Sequence, residues 1–143
     1  MNDKGLHILL VEDDEVDVMN VKRALKKNNI SNPLYIASNG LEALTMLRGE
    51  DGHSPVVPPH RRLILLDLNM PKMGGIEFLQ VLRTDSDLKG IPVVVLTTSN
   101  QDRDRIEAYQ LNVAGYMLKP VTFQNFVETM ATLNNYWTLC EML

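Results

Sequence analysis

Three short, nearly unbroken aliphatic runs punctuate the chain: Leu6-His7-Ile8-Leu9-Leu10-Val11, Leu63-Ile64-Leu65-Leu66 and Pro92-Val93-Val94-Val95-Leu96. Runs that do not alternate with polar residues predict strands covered on both faces, as in a parallel sheet. Two weaker strands fit Leu34-Tyr35-Ile36-Ala37 and Gly115-Tyr116-Met117-Leu118. Between the strands the apolar positions shift to helical spacing. Val18, Val21 and Leu25 share one face of a predicted helix over 15–28, and Leu41, Leu44 and Leu47 share a face of a shorter one ending near Gly49. Ile76, Leu79 and Leu82 predict a third helix; Ile106, Ala108 and Tyr109 predict a fourth. A fifth starts at Thr122 as N-cap, with Phe123, Phe126, Val127, Met130 and Leu133 facing inward.

Strand and helix thus alternate five times. This order predicts an α/β doubly wound, five-stranded parallel sheet with helices on both faces and right-handed crossovers. In such open sheets ligand chemistry gathers beyond the carboxyl ends of the strands, at the topological switch point. One stretch breaks the rhythm. The segment 49–62 holds two glycines and three prolines, reads as a surface loop and is long for a helix-to-strand connection. A tolerated insertion accounts for it, since loop length is cheap.

The 143 residues suit a single domain, with its core over 6–133 and a helical extension over 134–143. The net charge of −4 argues against a nucleic-acid partner. Lys22, Arg23, Lys26 and Lys27 read as the wet face of the first helix. The one cysteine, Cys140, permits no intrachain disulfide and suits a reducing compartment. There is no apolar leader at the start and no apolar run of the ~18 residues that a membrane span needs. A cytoplasmic protein without membrane contact is expected.

The predicted strand ends carry the chemistry. Strand one ends in Glu12-Asp13-Asp14, strand three in Asp67, strand four in Thr97-Thr98-Ser99 and strand five in Lys119-Pro120. Converging carboxylates raise each other's pKa unless a cation sits among them, and hard oxygen donors at a partly hydrated site suit Mg²⁺. A carboxylate can serve as nucleophile and form an aspartyl phosphate. That chemistry needs a metal on the phosphoryl oxygens, a further cation and a hydroxyl donor. Glu12 and Asp13 with a metal, Lys119 and Thr97 would supply these to Asp67. Each residue also has a plainer reading. Asp67 could cap a turn, Thr97 could be one more β-branched strand residue, and Lys119-Pro120 could be a helix-entry turn. Asp14 is expected to N-cap the first helix and to stay out of the metal set. Pro120 restricts Lys119 to extended geometry, with a cis bond as one way to aim it inward.

Taken in order, Leu-Leu-Val-Glu-Asp-Asp, Leu-Leu-Asp-Leu-Asn-Met-Pro-Lys-Met-Gly-Gly, Val-Leu-Thr-Thr-Ser and Gly-Tyr-Met-Leu-Lys-Pro-Val resemble the response-regulator receiver domains of two-component signalling. The resemblance spans 6–133 and implies the flavodoxin-like fold of that family. It implies Asp67 as phospho-acceptor and Mg²⁺ held by Asp13, Asp67, the backbone carbonyl of Asn69 and Glu12. It further implies Thr97 and Tyr116 as a switch pair, Lys119 as the phosphate-contacting lysine, and Asn69 and Ser99 as tuners of dephosphorylation. A sensor histidine kinase is the implied phosphoryl donor. The long loop before Leu63, the Thr-Thr-Ser segment and the tail with Tyr136-Trp137 look most like regulators paired with cyanobacterial phytochrome kinases. Two departures stand out: Gly74 where many members carry Asp, and Thr98 where a smaller residue is commoner.

Output by protein contact is expected, because the receiver uses nearly every residue. Met130, Leu133, Tyr136, Trp137 and Cys140 continue an apolar stripe toward the end of the chain and are the candidate homodimer contacts. Folding of this tail back onto its own domain is the alternative. Aspartyl-phosphate phosphatases place an acid/base aspartate where this chain has Asn69, so a turnover enzyme is not expected. A flavin phosphate would be repelled by Glu12-Asp13-Asp14. A docking module that kept the fold without being phosphorylated is the remaining alternative.

Overall fold

The structure, a computed structural model, describes residues 6–50, 52–119 and 123–139, without the side chains of Phe123, Phe126, Trp137 and Thr138. Its elements are β1 (His7–Val11), α1 (Glu15–Lys27), β2 (Leu34–Ala37), α2 (Gly40–Arg48), β3 (Arg62–Leu66), α3 (Gly75–Thr84), β4 (Val93–Thr97), α4 (Asp102–Gln110), β5 (Gly115–Leu118) and α5 (Phe123–Leu139). The five strands form one sheet in the order β2-β1-β3-β4-β5, and every neighbouring pair is parallel. The predicted doubly wound sheet is what forms. The proposed cap at Thr122, the geometry at Pro120 and Cys140 lie outside the described residues.

Period-two geometry sends alternate strand residues to opposite faces. Leu9 and Val11 of β1 join Ile64, Leu66, Val93 and Val95 in a core covered by α2, α3 and α4. Ile8 and Leu10 join Leu63, Leu65, Val94 and Leu96 in a second core under α1 and α5. Both faces of the central strands are therefore apolar, which explains the unbroken runs.

Two helix faces differ from the expectation. Leu41 is 52% exposed; α2 packs instead through Gly40, Ala43, Leu44 and Leu47. Gly40 sits so close to Met73 that an added Cβ would lie 2.8 Å from its Cγ, so the helix rotates toward its smallest residue. Ile106, at 58% exposed, also points away from the core, and α4 packs through Ala108. The 49–62 loop is anchored as well as long. Val57 is fully buried, and the Arg62 guanidinium donates to the carbonyls of Leu47, Val57 and Pro58 at 2.8, 2.6 and 2.9 Å.

Candidate functional site

The switch point lies between β1 and β3, where the chain first runs out to β2 and then returns across the sheet. Just past β1, the Glu12 amide donates to the Ala37 carbonyl at 2.9 Å, and past β3 the Asp67 amide donates to the Val11 carbonyl at 3.0 Å. Continuing these ladders one residue beyond the strands fixes where both carboxylates leave the backbone. Gly75 completes the arrangement. A Cβ there would fall 2.6 Å from the Asp67 carbonyl oxygen, so only glycine lets α3 start directly against the turn that carries Asp67. On the far side, the Lys119 amide donates to the Thr97 carbonyl at 2.7 Å.

These four strand ends open on one cleft of about 620 Å³, lined by Glu12, Asp13, Asp17, Asp67, Asn69 and Lys119 among others. Glu12, Asp13 and Asp67 each offer a carboxylate oxygen, and all three lie within 4.8 Å of one another. Glu12 and Asp67 are only 4% and 6% exposed. Burial, together with repulsion from Asp67, pushes the Glu12 carboxyl up to about 7, against the pull of Lys119. The Lys119 ammonium donates to Glu12 Oε1 at 2.6 Å and to Asp17 Oδ2 at 2.7 Å. Burial disfavours that charge, yet Asp17 and Glu12 outweigh it and hold the lysine above its ordinary pKa.

The donor set fits a hard divalent cation. Three carboxylates crowd one spot with one ammonium beside them, and hard oxygen donors of this kind suit a divalent ion. Asp14 stays apart as expected: its Oδ1 accepts from the Val16 and Asp17 amides at 2.8 and 3.2 Å and caps α1. Asn69 borders the cleft, with its amide 3.4 Å from Asp67 Oδ1.

The other predicted residues fall in a second layer. Thr97 is fully buried, and its Oγ1 accepts from the Ser99 amide at 3.2 Å; Thr98, the next residue, is the one that lines the cleft. Ser99 joins two elements, since its hydroxyl donates to Asp104 of α4 and its carbonyl accepts from the Tyr116 hydroxyl at 3.0 Å. Burial raises the Tyr116 pKa. On α5, Met130 is buried in the core under α1 and α5, and Leu133 packs against that core. Met130 is therefore corrected: its side chain fills the domain's own interior and presents no surface to a second chain. Tyr136 is exposed, whereas the Trp137 side chain and Cys140 lie outside the described residues.

Asp17 is the residue the sequence reading passed over. It lies on the first turn of α1, just past the Asp14 cap, and lines the cleft beside Glu12, Asp13 and Asp67. Its place three residues after the Glu12-Asp13-Asp14 strand end was the available signal.

Comparison with known proteins places this geometry. Residues 8–131 match the response regulator receiver domain family. The response regulator Rcp1 of Synechocystis sp. is 40% identical over 132 residues, covering 91% of this chain and 87% of that protein. FilR2 of Methanothrix harundinacea, a probable methanogenesis regulatory protein, is 37% identical over 130 residues, covering 91% and 82%. Among solved structures, the phosphorylated cyanobacterial phytochrome response regulator RcpA superposes with a TM-score of 0.85 at 32% identity, covering 96% of this chain and 98% of that one. A Mn²⁺-bound form of response regulator Rcp1 gives 0.81 at 38% identity, with the same coverage. Among the described residues no helix is long and apolar enough to cross a membrane.

Proposed function

Because the chain belongs to the response regulator receiver family, we propose that it takes a phosphoryl group on Asp67 from a sensor histidine kinase and signals through an altered protein-contact face. The observation that carries this reading is the meeting of Glu12, Asp13 and Asp67 within 4.8 Å, with the Lys119 ammonium 2.6 Å from Glu12. In the transfer, an Asp67 carboxylate oxygen forms a bond to phosphorus as the bond from phosphorus to the donor imidazole breaks. The electron pair of that bond stays on the imidazole nitrogen. Mg²⁺, held by Glu12, Asp13, Asp67 and the Asn69 carbonyl, would neutralise the carboxylates and seat the phosphoryl oxygens.

The residues of the chain do the rest. Lys119 offers its ammonium to a phosphoryl oxygen, and the walls of the cleft hold Asp67 in line with the donor. Phosphorylation adds about two negative charges at Asp67. The Thr97 hydroxyl then gives up the Ser99 amide and donates to the phosphoryl group. Loosening of the 97–99 turn releases the Tyr116 hydroxyl from the Ser99 carbonyl, and the α4–β5–α5 face repacks. This is a population shift, driven by contacts made better in one packing than in the other. Asn69 and Ser99 flank the path of the hydrolytic water and set the phosphate lifetime. The chain is a switch and not a turnover enzyme, since Asn69 offers no acid/base carboxylate.

The resemblance to Rcp1 and RcpA supports a phytochrome-type kinase as donor and a cytoplasmic setting. Tyr136 and Leu139 stand exposed on the last turns of α5, which supports self-association there, and nothing in the acidic balance of the chain favours nucleic acid. Phosphotransfer from a panel of purified histidine kinases tests the reading. Rapid transfer from phytochrome-type kinases, lost in Asp67→Asn, is the expected result. Transfer that survives in Asp67→Asn would overturn Asp67 as acceptor.

A further inference from the structure

Lys119 donates to two carboxylates that differ in their surroundings. Glu12 belongs to the acidic triad, while Asp17 does not; its Oδ2 stands 2.7 Å from the Lys119 ammonium, on the first turn of α1. The lysine side chain is 15% exposed and that of Asp17 30%, so the pair sits at the mouth of the cleft. An ammonium has three donors, and two are taken here. A cation seated among Glu12, Asp13 and Asp67 would claim the Glu12 oxygens and repel the ammonium. Asp17 is then the one carboxylate in contact with Lys119 that remains free to hold it.

We propose that Asp17 is a positioning residue that holds Lys119 on the α1 side of the cleft, competing with the phosphoryl group on Asp67 for the same ammonium. The inference rests on the phospho-acceptor reading above. Its consequence is a penalty on the phosphorylated state: Lys119 must leave Asp17 before it engages a phosphoryl oxygen. Asp17 thereby sets how readily Asp67 is charged and how long it stays so. Among the described residues the Asp17 side chain bonds to Lys119 alone, and α1 is capped by Asp14, so Asp17→Asn leaves the helix start intact.

Beryllofluoride, which caps a carboxylate as a phosphoryl mimic, provides the probe. It is titrated with Mg²⁺ into wild type, Asp17→Asn, Asp17→Glu and Glu15→Gln and followed by amide NMR. Glu15→Gln removes an equal charge from the cleft wall without touching Lys119. Asp17→Asn should tighten beryllofluoride binding roughly threefold, the scale of a partly exposed ion pair, with Asp17→Glu close to wild type and Glu15→Gln changed less. With Mg²⁺ present and before the mimic is added, the Lys119 side-chain ammonium resonance should be protected in wild type and lose that protection in Asp17→Asn. An equal gain in Glu15→Gln, or an Asp17→Asn affinity like wild type, would overturn this inference alone. A wild-type protein that shows no Mg²⁺-dependent response to beryllofluoride would instead bring down the phospho-acceptor reading, and this inference with it.

Discussion

Strand β3 enters the sheet on the buried Arg62 and gives way to the buried Asp67, and the two charges are handled in opposite ways. Arg62 donates to three carbonyls within 2.9 Å, so its charge is enclosed by fixed backbone dipoles. Arg83 follows the same pattern, reaching the carbonyls of Leu111, Lys89, Ile91 and Asn112. Asp67 stands among other acids, with a single ammonium shared by Glu12 and Asp17 nearby. A buried charge that is satisfied clamps a fold; one left short of counter-charge waits for a ligand. The same strand thus carries a structural end and a chemical end.

Replacing Arg62 should give the largest effect on stability. Arg62→Met strands the carbonyls of Leu47, Val57 and Pro58 and should cost about 3 kcal/mol in urea unfolding. Mg²⁺ affinity should stay near wild type. A large loss of Mg²⁺ binding in the folded variant would show that the two ends are not separate.

A pH effect comes next. The folded-state pKa of Glu12 is raised from 4.5 to about 7, so the folded protein holds its proton more tightly than the unfolded chain does. The stabilisation is complete below pH 4.5 and is lost as pH rises to about 7, on the order of 3 kcal/mol for the metal-free protein. Glu12→Gln should flatten that slope in unfolding curves taken across this range. Mg²⁺ should restore wild-type stability at the alkaline end, and a slope unchanged in Glu12→Gln would assign the titration elsewhere.

Asp14 gives the smallest effect and the finest distinction. It lies in the cleft but acts as the α1 cap. Asp14→Ala should lose about 1 kcal/mol, while Asp14→Ser should keep most of the stability, and both should bind Mg²⁺ much as wild type does. A Mg²⁺ defect in Asp14→Ser would move this residue into the metal set.

The sheet and the site were legible for one reason: in a parallel sheet the chemistry follows each strand directly in sequence. Glu12 trails the β1 run, Asp67 the β3 run, Thr97 ends β4, and Lys119 trails β5. Less was visible where small residues make the contact. Apolar periodicity favours Leu41 and Ile106, but α2 and α4 pack through Gly40, Ala43 and Ala108, which apolar spacing does not single out. The arginine clips were hidden too, because their partners are backbone carbonyls that no side-chain pattern encodes. Met130 shows a further limit: an apolar stripe does not say whether it closes the domain's own core or faces another molecule. Asp17 was missed because its partner is a lysine 102 positions away, a pairing that local spacing does not show.

The most direct test of Asp67 as phospho-acceptor is mass spectrometry of the protein after incubation with acetyl phosphate and Mg²⁺. One phosphoryl group should appear, labile to base, mapping to the peptide that contains Asp67, absent without Mg²⁺ and absent in Asp67→Asn. A phosphoryl group on any other residue, or undiminished labelling of Asp67→Asn, would contradict the account.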